Sequence, residues 1–216
     1  MTFKPNFEIS LLERNLIHEF ETLCLNKGYK YLSIPSLVPK ECYIKQGSID
    51  ENKAFGFGDY RLTGSAEQGI LEYFSGQEVL RNLKIVSTNQ CFRNEDVYTP
   101  LLRLAEFKKV EQFGFLTTST AAEITFNEFL YNSTEFLETH GIQYRIVDET
   151  ETDDGYHQKK FDIQINTKTF GWIESHSCTL FGKEQTRRFS IKGAEYTVSC
   201  TGIASPRILI PFIEKQ

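Results

Sequence analysis

Charged and aromatic side chains recur at short intervals within residues 91–111, CFRNEDVYTPLLRLAEFKKVE. Side chains two or four residues apart project to the same face of a β-strand, and the segment otherwise has the pattern of two strands joined by a loop. Guanidinium groups match phosphate oxygens in pairs, an aromatic ring stacks on a base, and carboxylates accept hydrogen bonds from amino groups. These residue types fit a nucleotide site made of Arg93, Glu95, Arg103, Phe107 and Glu111.

A structural role is the alternative for the same residues. Charges on the solvated face of an antiparallel sheet commonly form salt bridges that contribute little to stability. Considered by itself, the segment favours this second interpretation. The rest of the sequence has to separate the two.

Hydrophobic spacing and capping residues predict three helices ahead of the C-terminal segment. Ser10 and Glu13 have the spacing of a capping box, which predicts a helix over 10–27. A second helix is predicted to begin near Ser65, and a third to cover 118–140.

Alternating apolar residues predict strands that are linked mainly by hairpins, with few helices between them. Pro35 cannot donate a ladder hydrogen bond, so it predicts an edge strand or a strand end. Residues 196–215 predict a strand, a glycine turn and a helix with Pro206 near its first turn. Together these elements predict an α+β fold, an antiparallel β-sheet flanked by helices, in a single domain over 1–216. The other predicted strands are 29–38, 83–92, 107–115, 142–149, 159–166 and 169–179, with an acidic turn at 149–155.

Composition limits the expected partners and metals. The chain has 216 residues and a net charge of -5, so its overall field does not attract a polyanion. The sequence contains neither a signal-like start nor about 18 consecutive uncharged apolar residues, and we expect a cytoplasmic protein with no membrane segment. The five cysteines are irregularly spaced and the four histidines do not cluster with them, which favours reduced thiols and no structural zinc.

Five segments resemble, in the family's own order, the class II aminoacyl-tRNA synthetases, and most closely the seryl-tRNA synthetases. LLERNLIHEF with GYKYLSIPSLV is similar to the first core helix and motif 1, whose proline would be Pro35. LTGSAEQGIL resembles the seryl TAE loop, with Ser65 in place of the threonine, and CFRNED with RLAEFKKVEQF resembles motif 2. IESHSCTLFGKEQTRR is similar to the seryl pattern that begins at a glutamate, here Glu174, and TVSCTGIASPRILIPFIE resembles motif 3, with Arg207 as its arginine. Each match alone is weak, whereas five in order are specific.

The resemblance implies a site that makes an aminoacyl-adenylate from ATP. Arg93 would hold the α-phosphate, Glu95 the adenine amino group, and Phe107 the adenine face. Arg103 and Arg207 would hold the outer phosphates. Arg93, Arg207 and Glu174 would be the catalytic residues, with Glu174 holding Mg2+ and Ser177 contacting ATP; the implied amino-acid-binding residues are Ser65, Glu67, Glu111, Ser199 and Thr201.

Several features depart from the seryl pattern. The seryl enzymes carry a long helical hairpin that grips tRNA, whereas here the core-like segments begin near residue 10, and the motif 2 loop, NEDVYTPLL, is shorter. With the negative net charge, these features predict an acceptor other than tRNA. Ser199 and Cys200 stand where the family has asparagine and glycine, which changes the size and polarity of the amino-acid pocket. Serine is therefore the leading candidate for the substrate and not an assigned one. Ser65 occupies the place of a zinc-binding cysteine in arm-less relatives, so no zinc site is expected, and Pro211 predicts a kink in the motif 3 helix.

Three functions follow as hypotheses. The leading one is an enzyme that activates a small, serine-like amino acid and passes it to a carrier-protein thiol or a small amine. The second is a catalytically silent paralogue that binds a nucleotide or an amino acid and regulates a partner. The third is a seryl-tRNA ligase whose tRNA-binding arm belongs to a separate protein. All three include a homodimer through motif 1 around Pro35.

Overall fold

A seven-stranded sheet forms the centre of the computed structural model, which describes residues 6–47, 50–151 and 157–215. A second sheet has three strands. The strands in chain order are β1 (Lys30–Tyr31), β2 (Leu37–Pro39), β3 (Gly56–Phe57), β4 (Tyr60–Leu62), β5 (Leu83–Phe92), β6 (Glu106–Leu116), β7 (Tyr144–Asp148), β8 (Lys159–Thr167), β9 (Gly171–Gly182) and β10 (Tyr196–Ser205). The helices are α1 (Phe7–Asn26), α2 (Lys40–Gln46), α3 (Ala66–Phe74), α4 (Ser119–Thr139), α5 (Glu184–Arg188) and α6 (Ile210–Ile213), with 3-10 turns at Glu51–Lys53 and Arg207–Leu209.

The large sheet is almost entirely antiparallel. Its strand order is β1-β5-β6-β10-β9-β8-β7, and only the short pair β1–β5 runs parallel. The small sheet has the order β2-β4-β3. The predicted α+β fold with an antiparallel sheet flanked by helices is therefore confirmed.

The two faces of the large sheet are covered differently. Helices α1 and α4 pack on one face, where Phe20, Phe126 and Phe129 belong to one continuous buried cluster with Val198 and Cys200 of β10. A second cluster lies on the opposite face and contains residues of α2, α3, β5 and β6. Since α2 and α3 cover only the β5–β6 side of that face, the parts of β8, β9 and β10 beside it stay available for a cleft.

Helix α1 begins three residues earlier than the capping-box spacing predicts. The side chain of Asn6, rather than that of Ser10, caps the helix, because Asn6 Oδ1 accepts a hydrogen bond from Ile9 N at 2.8 Å. Ser10 Oγ donates back to Asn6 O at 2.8 Å. Helix α4 agrees with its predicted range, and Thr118 caps it through Ala121 N.

The predicted glycine turn near the C-terminus is wrong. Gly202 lies inside β10, beside a register shift between Thr201 and Ile203. A Cβ atom at this position would overlap the ring of Phe20, which belongs to α1. The glycine therefore serves close packing between sheet and helix and not a change of chain direction.

Two proline-containing segments also differ from expectation. Pro35 lies between β1 and β2 rather than in one edge strand, since β1 joins the large sheet and β2 the small one. Pro211 lies at the first turn of the four-residue helix α6 and so does not kink a longer helix. In the acidic turn predicted at 149–155, residues 152–155 lie outside the described residues. None of the described helices is both long and apolar enough to span a bilayer.

Candidate active site

A cleft of about 550 Å³ opens on the sheet face that α2 and α3 leave uncovered. Every residue predicted for the site lines it except Glu111, which is buried. The lining includes Ser65 and Glu67 from the start of α3, Phe107 and Lys109 from β6, Glu174, Ser175, Ser177, Thr179 and Phe181 from β9, Ser199 and Thr201 from β10, and Arg93, Glu95, Arg103 and Arg207 from the segments that follow or precede these strands.

The connection between β5 and β6 carries charges that were expected on the strands themselves. Strand β5 ends at Phe92 and β6 begins at Glu106, so Arg93, Glu95 and Arg103 belong to the loop. The β5–β6 ladder continues into the loop through the bond from Arg93 N to Ala105 O at 3.0 Å, and Thr99 and Arg103 exchange two further backbone hydrogen bonds of 2.9 Å. The loop thus folds tightly on itself, and its charged side chains face the cleft from its rim.

Three guanidinium groups meet at this rim. Arg93 donates from Nε and Nη2 to Gly64 O at 3.3 and 3.2 Å, and its guanidinium lies 5.4 Å from the centre of the Phe107 ring. Arg207 donates from Nε to Leu102 O at 2.8 Å and from Nη1 to Glu174 O at 2.9 Å. These bonds fix Arg207 between the loop and β9.

The electrostatic surroundings of Arg207 favour an anionic ligand. Burial is the main cause that lowers the pKa of Arg207, and the nearby charges of Arg93 and Arg103 lower it further, while Glu174 and Glu95 act in the opposite direction. Like charges held close together in a partly buried site gain stability from an anion between them. A polyphosphate supplies such charges in the geometry that guanidinium groups match.

The other end of the cleft contains a buried polar cluster. Glu67 accepts hydrogen bonds from Ser199 Oγ at 2.8 Å and from Gln46 Nε2 at 3.1 Å. Glu111 forms an ion pair with Lys109 and accepts a hydrogen bond from Thr201 Oγ1 at 3.3 Å. Burial, and next the charge of Glu111, raise the pKa of Glu67, whereas the charge of Lys109 lowers it.

This cluster suits a cationic ligand group. The carboxylates of Glu67 and Glu111 lie near only one ammonium, that of Lys109, so one additional positive charge would balance them. Burial also strengthens charge-assisted hydrogen bonds, because competing water is excluded. The cluster can therefore bind a primary ammonium beside small hydroxyl groups.

Ser65 has a local structural function in the same place. It caps α3, since its Oγ accepts a hydrogen bond from Glu67 N at 3.1 Å and Gln68 Oε1 accepts one from Ser65 N at 2.9 Å. This capping box fixes Glu67 at the first turn of the helix and points it towards β10. The Ser65 side chain also lines the cleft.

Glu174 and Ser177 provide oxygen ligands on the β9 side of the cleft. The Glu174 side chain is 51% exposed, and its Oε1 lies 4.0 Å from Arg207 Nη1, which is a long distance for an ion pair. The carboxylate is therefore accessible to a ligand from the cleft. Mg2+ binds one or two carboxylates together with water and substrate phosphates, and this donor set fits that requirement. Within the described ranges no group of three or more acidic, cysteine or histidine side chains is arranged to hold a metal by itself.

The cysteines and His176 lie apart from this chemistry. All five cysteines are buried and free, and burial raises the pKa of the Cys91 thiol to about 12. His176 Nε2 lies 3.0 Å from Gly202 O, and burial lowers the pKa of the imidazole to about 4. His176 is therefore a neutral, buried side chain that packs in the core.

Sequence reasoning missed several cleft residues. Lys109 shares a strand face with Phe107 and Glu111, so the two-residue period was enough to find it. Lys53 and Asp50 reach the cleft from a segment with no recognisable pattern, and only the folded chain brings them there. Lys160, Thr179 and Phe181 also line the cleft and were not predicted.

The fold and sequence both match known proteins. The family model described as tRNA synthetase class II core domain (G, H, P, S and T) matches residues 52–214. Serine–tRNA ligase of Deinococcus radiodurans is 27% identical over an alignment covering 97% of this chain and 55% of that protein. The mitochondrial serine–tRNA ligase of Bos taurus is 30% identical, with 95% of this chain and 45% of that protein covered.

Solved structures give the same fold. The cytoplasmic serine–tRNA ligase from Naegleria fowleri in complex with AMP superposes with a TM-score of 0.87 at 22% identity, covering 97% of this chain and 55% of that one. Seryl-tRNA synthetase from Pyrococcus horikoshii complexed with ATP superposes with a TM-score of 0.86 at 23% identity, covering 97% of this chain and 52% of that one. The chain thus spans about half the length of the relatives it matches. With the family model matching most of its length, this chain belongs to the class II tRNA synthetase core domain family.

Proposed function

We propose that the cleft joins ATP to a small amino acid, with serine as the leading candidate, to form an aminoacyl-adenylate. The observation that carries this proposal is the convergence of Arg93, Arg103 and Arg207 in a single cleft that Glu67 also lines. Glu111 is buried behind the lining residues Lys109 and Thr201, which it contacts. One end fits a triphosphate and the other an ammonium. A substrate carboxylate between them would lie beside the α-phosphorus.

The chemistry requires neither a general base nor a covalent nucleophile. A carboxylate oxygen of the amino acid attacks the α-phosphorus and displaces pyrophosphate, so negative charge spreads over the phosphate oxygens. Arg93 is placed to stabilise that charge, and Arg103 and Arg207 to stabilise the leaving pyrophosphate. Glu174 and Ser177 would hold Mg2+, which supplies charge neutralisation at the phosphates when bound.

Adenine and the amino acid have separate partners in this proposal. Adenine would stack on the Phe107 ring with its amino group at Glu95. The ammonium would bind beside Glu67 and Glu111, and the side-chain hydroxyl of a serine-like substrate would meet the hydroxyl groups of Ser65, Ser199 and Thr201. Ser199 Oγ and Thr201 Oγ1 already donate to Glu67 and Glu111, so their oxygen lone pairs would accept a hydrogen bond from the substrate hydroxyl.

Amino-acid-dependent exchange of labelled pyrophosphate into ATP tests the proposal. A panel of the common amino acids should give exchange with serine or a similarly small amino acid. Absence of exchange with every member of the panel would refute activation. If ATP still bound in that case, the silent paralogue would become the better description. Retention of three clustered guanidinium groups disfavours it, since unpaired cations are costly to bury.

The acceptor forms a further part of the proposal. The short, tightly folded loop between β5 and β6 and the net charge of -5 weigh against tRNA as the acceptor, and we propose a carrier-protein thiol or a small amine in its place. Incubation with labelled serine and ATP should label a phosphopantetheine-bearing carrier protein or an amine, and not tRNA. Labelling of tRNA alone, or only after a second protein is added, would instead support a tRNA ligase that works with a partner.

The three-stranded sheet supports a homodimer through the region around Pro35. Leu37, Phe57 and Tyr60 of this sheet are between 44% and 66% exposed. Exposed apolar side chains on neighbouring strands commonly mark a protein interface. Light scattering should give twice the mass of one 25.0 kDa chain, and a monomeric mass would refute this assignment.

A further inference from the structure

Glu95 is held by two cations that come from different segments of the chain. Its Oε2 lies 3.7 Å from Arg103 Nη1 in the same loop. It lies 3.8 Å from Nζ of Lys53, which belongs to the 3-10 turn Glu51–Lys53. The Glu95 side chain is only 11% exposed, and both ion pairs use Oε2. Oε1 is therefore the oxygen available to a ligand.

The backbone beside Glu95 is held by the same turn and by a tyrosine. Asn94 N donates a hydrogen bond to Lys53 O at 2.7 Å. Glu95 N donates to Tyr98 Oη at 3.2 Å, and Tyr98 Oη lies 3.4 Å from Arg93 O, to which it can donate. Lys53 thus contacts the loop through both its carbonyl and its ammonium. Tyr98 links two backbone groups of the same loop, Arg93 O and Glu95 N, through its hydroxyl group.

The 3-10 turn is itself well anchored. Asp50 caps it, because Asp50 Oδ1 accepts a hydrogen bond from Asn52 N at 2.9 Å. Glu51 pairs with Arg61 of β4, whose Nε lies 2.6 Å from Glu51 Oε1. Lys53 therefore belongs to a fixed support on the cleft side of the loop, and both Asp50 and Lys53 line the cleft.

We propose that Lys53 is a positioning residue that fixes the Glu95 carboxylate for recognition of the adenine amino group. The inference rests on the proposed function, in which Glu95 accepts a hydrogen bond from that amino group. By pairing with Oε2, Lys53 holds the carboxylate in one orientation with Oε1 towards the base. Tyr98 acts with it by holding the Glu95 backbone. Adenine selectivity thereby depends on a segment outside all the recognisable sequence patterns.

The test compares binding of ATP with binding of purine riboside triphosphate, which lacks only the amino group on the base. Isothermal titration calorimetry gives both dissociation constants. The Kd of purine riboside triphosphate divided by the Kd of ATP, called the ratio below, measures recognition of the amino group. Wild type should bind ATP more tightly. Lys53→Met keeps the length of the side chain and should reduce the ratio by about two- to five-fold, the size of a partly exposed ion pair, mainly through weaker ATP binding. Added salt should reduce the wild-type ratio in the same direction.

A matched control comes from the same part of the chain. Lys40 Nζ lies 3.6 Å from Glu51 Oε2, and its side chain is 43% exposed, against 47% for Lys53. Lys40 does not line the cleft, so Lys40→Met removes a comparable ion pair and should leave the ratio unchanged. Tyr98→Phe, a second variant, removes only the hydroxyl group and should reduce the ratio by about five-fold, as expected for one hydrogen bond.

The outcomes separate this inference from the proposed function. Equal weakening of both nucleotides by Lys53→Met, or an unchanged ratio, would overturn the positioning role. A wild-type ratio near one would overturn it as well, because Glu95 would then not read the amino group. A wild-type preference for ATP that Lys53→Met reduces, found together with no pyrophosphate exchange, would support the positioning role while refuting amino-acid activation.

Discussion

Glu67→Gln separates the binding role of the buried carboxylate from its structural role. Glutamine has the same shape, and it can keep both existing contacts by accepting from Gln46 Nε2 and donating to Ser199 Oγ, which rotates to accept. The fold should therefore persist. The substitution removes the negative charge of Glu67, which in the proposal pairs with the substrate ammonium.

The substitution should weaken binding of the amino acid without lowering the stability of the fold. A charge-assisted hydrogen bond contributes about 1.5–3 kcal/mol, so KM for the amino acid in pyrophosphate exchange should rise by about 10- to 150-fold. The free energy of unfolding at neutral pH should be equal to or higher than that of wild type, because burial and Glu111 disfavour the charged form of Glu67.

The pH dependence of stability follows from the same pKa shift. The pKa of Glu67 is raised above its ordinary value of 4.5, so its contribution to stability is fully present below that pH and is lost as pH rises through the folded-state pKa. Glutamine does not titrate. The stability advantage of Glu67→Gln over wild type should therefore grow as the pH is raised from below 4.5 towards neutrality.

Urea unfolding at several pH values and exchange kinetics measure the two effects. Glu72→Gln, on the same helix but outside the cleft, is the matched control and should leave KM unchanged. An unchanged KM in Glu67→Gln, or a stability loss without a KM effect, would refute the assignment of Glu67 to the ammonium.

Three further predictions concern Arg207, the core and the thiols. Arg207→Met should lower kcat/KM for ATP by about 10- to 150-fold through loss of charge-assisted bonds, whereas Arg187→Met, whose native side chain is 70% exposed, should not, as exchange kinetics would reveal. Gly202→Ala should destabilise the fold by about 1–3 kcal/mol through overpacking against Phe20, and Phe20→Leu in the same chain should restore part of the loss in urea unfolding. All five buried thiols should resist iodoacetamide at pH 8 in the native protein and react after denaturation, as mass spectrometry would show; labelling of native Cys91 would contradict its burial.

Local patterns were sufficient for the longer elements, whereas the predicted site residues came from the resemblance of five segments to one family, and Lys53, Lys109 and Lys160 were missed. The helix over 118–140 and the two long strands beside residues 91–111 followed from apolar spacing, because each buries one continuous face. The arginines and glutamates were recognisable from their types and their order along the chain. Their meeting at one cleft follows from strand order, which pairs β10 with both β6 and β9.

Other features depend on contacts between distant segments. Gly202 looked like a turn residue because nothing local reveals the Phe20 ring that excludes a side chain there. Ser10 looked like a helix cap, although Asn6 provides the cap one turn earlier. Lys53 carried no signal, since its importance comes from the loop that folds against it.

A crystal structure with a non-hydrolysable seryl-adenylate analogue tests the central claim most directly. The account predicts adenine on the Phe107 ring, the phosphate-like linkage at Arg93, and the ammonium beside Glu67 and Glu111. Binding elsewhere, or binding in this cleft with the ammonium remote from both carboxylates, would contradict it.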